Sequence, residues 1–130
     1  MAWEPYNLDQ VAHDLVFARK DNRDLFGQVY KMRTTVTYGL ERFWGEKLRL
    51  SGDESEYWEA TWNKLVEMMG IAGITIPNHA DSKQQIKELW LDSKDKTIAK
   101  QKRDERKIAL AVLTQLCDCM IWWTQRYKKA

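Results

Sequence analysis

Four basic residues in the last third of the chain are spaced as neighbours on one helix face. Lys96, Lys100, Arg103 and Lys107 follow one another at steps of four, three and four residues. Side chains three or four positions apart lie on the same face of a helix. We call this set the basic ridge. A row of cations of this kind is suited to holding a polyanion.

Two further cations, Lys102 and Arg106, extend the basic ridge sideways. The segment 94–107 carries seven Lys or Arg against three Asp or Glu. Three pairs place like charges about one turn apart, and each costs a helix about 0.2 to 0.5 kcal/mol unless something neutralises it. A phosphate backbone would remove this repulsion and release counterions. A solvated helix face without a ligand is the alternative. The pairs are Lys96 with Lys100, Lys102 with Arg106, and Arg103 with Lys107.

A second basic set precedes the basic ridge in the chain. On a continuous helix the members of this set would share a face opposite the apolar stripe, with Arg33 beside them. Tyr38, between these cations, either stacks on an exposed base or packs in the protein. We therefore expect Lys31, Arg33, Arg42 and Arg49 to contribute to nucleic-acid binding. The set comprises Lys31, Thr35, Tyr38, Arg42 and Arg49.

The lysine content of the basic ridge favours contact with the phosphate backbone over base readout, because Lys acts on phosphate as a point charge. Four phosphate contacts on a single strand predict a salt slope near −3. One copy would bind weakly. Several copies along one strand, or a larger complex that presents the strand, would make such contacts useful.

Groups that could support catalysis are sparse. His13 and His79 stand alone in the sequence, outside helical metal-binding spacings. The one carboxylate set worth weighing loosely resembles the magnesium-binding pattern of all-helical nucleotide pyrophosphohydrolases, although its second pair is one residue too far apart. We expect no catalytic residue, no metal and no cofactor. The set pairs Glu56 with Glu59 and Glu88 with Asp92.

Composition indicates a single domain over residues 1–130. The net charge of +2 hides an asymmetry, since residues 1–82 carry nine basic and thirteen acidic residues whereas residues 83–130 carry twelve and six.

Cys117 and Cys119 are spaced for neither a disulfide nor a zinc site, which indicates small buried or interfacial residues in a reducing cytoplasm. No signal peptide or membrane-spanning stretch is visible in the sequence.

The spacing of apolar residues predicts an all-α fold, a compact bundle of about five helices with a long C-terminal helix. The first four helices cover about 7–20, 24–50, 51–70 and 82–90, and the last covers about 94–130. A change of charge across the connection 71–81 makes it the best candidate for a hinge. Four tryptophans fall in apolar registers and are expected in the core. Trp122 and Trp123 are adjacent and cannot face the same direction on a helix, so one of the two would meet another helix or subunit. The four are Trp58, Trp62, Trp90 and Trp123.

Part of the long second segment also fits a strand. Residues 30–40 alternate between larger apolar and polar side chains, and Thr34 to Thr37 are four consecutive β-branched residues. The three-four spacing persists from Leu25 to Phe43, so we favour a helix. Gly39 and Gly45 weaken that helix or allow another backbone to approach.

The last helix resembles that of the small subunits of CRISPR interference complexes, which are all-helical proteins of this size. The resemblance rests on the runs Lys100-Gln-Lys-Arg-Asp-Glu-Arg-Lys107 and Ile108-Ala-Leu-Ala-Val-Leu113. The closing Trp122-Trp-Thr-Gln-Arg-Tyr-Lys-Lys129 is similar to the end of some members. The resemblance implies a non-catalytic RNA- and DNA-binding subunit in antiviral defence. The resemblance also implies stacking in copies, contact with larger effector subunits, and contact with guide RNA or a target strand.

The expectation is therefore a cytoplasmic subunit of a ribonucleoprotein complex that guides single-stranded DNA or RNA along a basic face. The main alternative is a helical adaptor that binds only protein, with its basic ridge against an acidic surface such as residues 53–59 of a neighbouring copy. A magnesium-dependent nucleotide pyrophosphohydrolase is a third possibility.

Overall fold

The computed structural model describes residues 7–90 and 96–129. Every regular element within these two ranges is a helix, which confirms the all-α fold and the long C-terminal helix. A 3₁₀ turn at Arg23–Leu25 precedes the second α-helix. The α-helices are α1 (Leu8–Phe17), α2 (Phe26–Val36), α3 (Leu40–Arg49), α4 (Gly52–Ile71), α5 (Ser82–Leu89) and α6 (Lys96–Lys128).

The predicted second helix is divided in two, so the described part of the chain has six α-helices rather than five. At the end of α2 the Thr37 hydroxyl donates to Thr34 O at 2.7 Å. Gly39 follows with φ of +108°, a conformation outside the helical range that side-chain-bearing residues rarely adopt. A single helix over 24–50 is therefore wrong, and so is the strand alternative. The predicted stripe is nevertheless buried from Leu25 to Phe43.

The corner at Gly39 provides a test of backbone strain. Gly39→Ala would place its Cβ 2.9 Å from a Glu41 carboxylate oxygen and force φ +108° on alanine. We expect the free energy of unfolding to fall by about 1 to 3 kcal/mol. Gly45→Ala is the matched control, because Gly45 lies within α3 and its Cβ would meet no atom within 4 Å. The control should gain about 0.5 to 1 kcal/mol in urea unfolding. Equal effects would contradict the assigned corner.

One part of the core lies where the C-terminal half of α6 packs against α1 and α2. Trp58 and Trp62 on α4 are also fully buried, as predicted, with their rings against Phe43 of α3. Trp90 is not: it is 68% exposed, so its assignment to the core is wrong. The reason is the shortness of α5, which buries Gln85 and Leu89 and ends before Trp90.

The end of α6 is held on α1 by polar and aromatic contacts. Trp123, half-buried rather than fully buried as predicted, donates from Nε1 to Asp9 Oδ1 at 3.0 Å. Its ring meets His13 edge-on with centroids 4.6 Å apart. His13 Nε2 also lies 2.6 Å from Tyr127 Oη. Trp122 remains 48% exposed, with the Arg126 guanidinium 3.8 Å from its ring centroid.

The connection between α4 and α5 is anchored by side-chain contacts to both helices. Ile74 and Ile76 are buried. Pro77 O accepts hydrogen bonds from Trp62 Nε1 at 3.2 Å and from Gln85 Nε2 at 2.7 Å. These contacts tie residues 74–77 to the core. The hinge within 71–81 stays a prediction.

The two cysteines are free thiols on α6, Cys117 buried and Cys119 half-buried. Burial raises the pKa of the Cys117 thiol to about 12, and the nearby Asp118 carboxylate acts in the same direction. Burial also raises the pKa of Cys119. Both thiols are therefore protonated and poorly nucleophilic at neutral pH. No helix in the described residues is long and apolar enough to cross a bilayer.

Candidate nucleic-acid interface

The basic ridge lies on the N-terminal half of α6, and all four of its side chains are exposed. A different side of the same helix, about 110° round from the basic ridge, forms a buried seam through Ala99, Ala109 and Leu113. Because α6 is one continuous helix, the packed C-terminal half fixes the direction of the exposed half. The basic ridge spans about 16 Å, since eleven residues rise about 1.5 Å each.

The cations of the basic ridge have no acidic partner among the described residues. None of them forms an ion pair with a carboxylate of residues 7–90 or 96–129. Asp104 and Glu105 on the same helix pair with none of them. No carboxylate in these two ranges therefore offsets the like-charge repulsion inferred from the spacing.

Lys102 and Arg106 do not widen the exposed surface as predicted. Both are half-buried, because their positions follow Ala99 at steps of three and four and so fall on the seam. Arg106 Nη1 donates to Thr75 O at 3.3 Å. Burial lowers the pKa of Arg106, while Glu105 and Glu88 oppose that shift. Its Nε is buried and has no hydrogen-bond partner in the described residues.

A cleft of about 270 Å³ lies beside the basic ridge. The turn into α3, the end of α5 and the middle of α6 form its walls. Arg103 and Lys107 of the basic ridge border it together with Arg106, so it joins an apolar surface to three cations. Its lining is Gly39, Leu40, Glu41, Leu89, Arg103, Arg106, Lys107 and Leu110.

The second basic set is not one surface, because the break at Gly39 separates its members. Lys31 is exposed on α2 and Arg42 is exposed on α3. Arg33 Nε donates to Asp118 Oδ1 at 2.6 Å, so this cation joins α2 to α6. Arg49 pairs with Glu46. Tyr38 is 66% exposed, which removes the packing explanation for it.

Sequence reasoning missed a basic and aromatic cluster at the end of α6. The Lys128 ammonium lies 5.5 Å from the Tyr30 ring centroid. Lys128 O accepts a hydrogen bond from Arg23 Nη1 at 2.7 Å. An open depression of about 970 Å³ is lined here by Tyr30, Gln125, Arg126, Lys128 and Lys129. The four-residue spacing of Trp122 and Arg126 was the available signal in the sequence, whereas Tyr30 comes from a distant helix.

The carboxylates considered for magnesium are engaged separately. Glu56 accepts from Arg19 Nη2 at 2.8 Å, and Glu88 pairs with His79. Glu59 is exposed on α4, and Asp92 lies outside the described residues. In the part of the chain that the structure describes, no three His, Cys, Asp or Glu side chains gather as a metal site would require.

Comparison with protein-family models, curated proteins and solved structures finds no match to this chain.

Proposed function

We propose that this chain is a non-catalytic nucleic-acid-binding subunit that holds the phosphate backbone of a single strand on its basic ridge. One observation carries the proposal. Four exposed cations, which form no ion pair with any residue that the structure describes, stand on the projecting half of α6, whose other half is anchored in the core. Such a surface favours binding of a strand, because its cations neutralise phosphates and release the counterions that were condensed on the nucleic acid.

The dimensions and chemistry of the basic ridge favour a strand over a small anion. Its four cations are spread over about 16 Å, so several phosphates of one strand can contact them at once, whereas a single small anion cannot. Three of its four cations are lysines, which contact phosphates as point charges. We therefore expect binding that varies little with base sequence.

An acidic face of a second copy is a weaker candidate for the same surface. Residues 53–59 hold four carboxylates, and three of them already have partners in their own chain. Asp53 accepts from Asn22 at 3.5 Å, Glu54 accepts from Gln28 at 2.5 Å, and Glu56 pairs with Arg19. Docking the basic ridge there would compete with these contacts.

Within this proposal, the resemblance of α6 supports a place among the small subunits of CRISPR effector complexes in the cytoplasm. Such a subunit needs surfaces for copies of itself and for larger subunits. Large apolar side chains are available on the outside of the bundle. Trp90, Ile71 and Leu48 are 68%, 64% and 56% exposed. Co-purification from the native cell with other effector subunits and a guide RNA is the expected result.

Filter binding of single-stranded DNA and RNA across a salt series tests the proposed function. Four phosphate contacts predict that log K falls with log[salt] with a slope of about −3. Strands of different sequence should give the same slope. A salt-independent affinity, or no binding by the isolated chain or its native assembly, would overturn the proposal. Binding to polyglutamate in place of nucleic acid would favour the protein adaptor.

A further inference from the structure

The cleft beside the basic ridge combines an apolar surface with charged groups, and a ligand must match both. Leu40, Leu89 and Leu110 give it an apolar surface. Arg103 and Lys107 place cations at its border. Its volume of about 270 Å³ is small beside the roughly 300 to 1,000 Å³ of pockets that hold whole drug-sized ligands. The cleft is therefore sized for a fragment of a ligand.

The polar groups of the cleft include an unused acceptor. The Glu41 carboxylate lies against Gly39, where a Cβ would come within 2.9 Å of Oε1. Glu41 forms no ion pair with any described residue. Arg106 adds charge to the lining, but its Nε is buried and so lies out of reach of a ligand in the cleft. A simple anion would pair with the cations at the border but be repelled by Glu41 and leave the leucines uncovered.

We propose that this cleft receives one unstacked nucleobase of a single strand whose phosphates lie on Arg103 and Lys107. The inference rests on the proposed function. A nucleobase has a flat apolar face and an edge that carries both donors and acceptors. Its edge would donate to Glu41, while its face packs on the three leucines. Enzymes that read extruded bases use the same combination of apolar packing and edge hydrogen bonds.

This arrangement also specifies which form of nucleic acid binds. In a duplex the bases are stacked and paired, so none can enter the cleft without the cost of extrusion. A single strand offers its bases at little cost. The cleft therefore makes the chain select single strands over duplexes.

Equal-length single strands with and without bases test the proposal. An abasic strand keeps the phosphates, so it measures the basic ridge alone. We expect the full chain to bind the normal strand about tenfold more tightly than the abasic strand in fluorescence anisotropy, because burial of a base face on apolar side chains is worth roughly that factor. Both strands should show the same salt slope.

Leu110→Phe fills the cleft and should abolish the tenfold preference while leaving affinity for the abasic strand unchanged. Ile108→Phe is the matched control, because Ile108 is 48% exposed and lies about 160° round α6 from Leu110. The control should keep the preference. Thermal unfolding compares the folding of both variants.

A second measurement on the unaltered chain covers the case in which Leu110→Phe does not fold. Addition of a nucleoside monophosphate should shift the NMR methyl signals of Leu40, Leu89 and Leu110, and inorganic phosphate should not. Unshifted methyl signals would overturn the inference, and so would equal affinity for normal and abasic strands, with the proposed function still standing. Absence of binding to either strand would overturn both.

Discussion

Replacing Lys100, Arg103 and Lys107 together by alanine should lower the affinity for a single strand about 100-fold at 0.1 M salt. Each phosphate contact on a single strand contributes about 0.7 to the salt slope, and so about 0.7 log units of affinity at that concentration. Removing three contacts should also flatten the slope from about −3 to about −0.7. The measurement is filter binding from 50 to 200 mM salt.

The control for this variant must remove the same charge from another surface. Lys20, Lys64 and Lys83 lie on the outside of the bundle, after α1, on α4 and on α5. Their replacement by alanine also takes the formal net charge from +2 to −1. This control should lose less than about threefold in affinity and keep its slope, because only cations in contact with phosphates release counterions. Equal losses in the two triple variants would show a general charge effect instead of a site.

Trp62→Ala should reduce the free energy of unfolding by about 3 to 5 kcal/mol. The side chain is 1% exposed and its ring lies 6.3 Å from that of Phe43, so alanine leaves a cavity in the core. The substitution also removes the hydrogen bond from Nε1 to Pro77 O. Because Pro77 belongs to the connection between α4 and α5, loss of this hydrogen bond should also destabilise that connection. Urea unfolding monitored by circular dichroism gives the value.

Trp90→Ala is the matched control for the core substitution. Trp90 is 68% exposed at the end of α5, and exposed substitutions of this kind change stability by less than about 0.5 kcal/mol. A large loss on replacing Trp90 would mean that the α5 end is packed in solution. A small loss at Trp62 would contradict the burial of α4 against the connection.

The spacing of apolar residues was sufficient to predict most helices. Steps of three and four identified α4 with its buried Trp58 and Trp62, and the same steps identified the buried half of α6. Exposure of the basic ridge followed from the same periodicity, since its residues lie away from the seam. These features depend on local helical geometry, which is readable from one stretch of chain.

Other features depended on interactions between distant parts of the chain. The side chain that neutralises Arg33 is Asp118, 85 residues away, and the carbonyl that accepts from Arg106 belongs to Thr75. The division at Gly39 depended on one left-handed residue that the stripe of apolar side chains does not reveal. The two contacts engage cations that the spacing alone had placed on basic faces, and the division at Gly39 separates the members of the second basic set.

Helical periodicity and charge are local properties, so the spacing of residues was enough to predict an all-helical chain with an apolar anchor and an exposed row of cations. Which cations lack an ion pair within the described residues, and the cleft that borders them, became visible only in the folded chain, because ion pairs and cavities arise where helices meet. Helix packing joins Leu40, Leu89 and Leu110 beside Arg103, and no spacing along the sequence encodes that meeting.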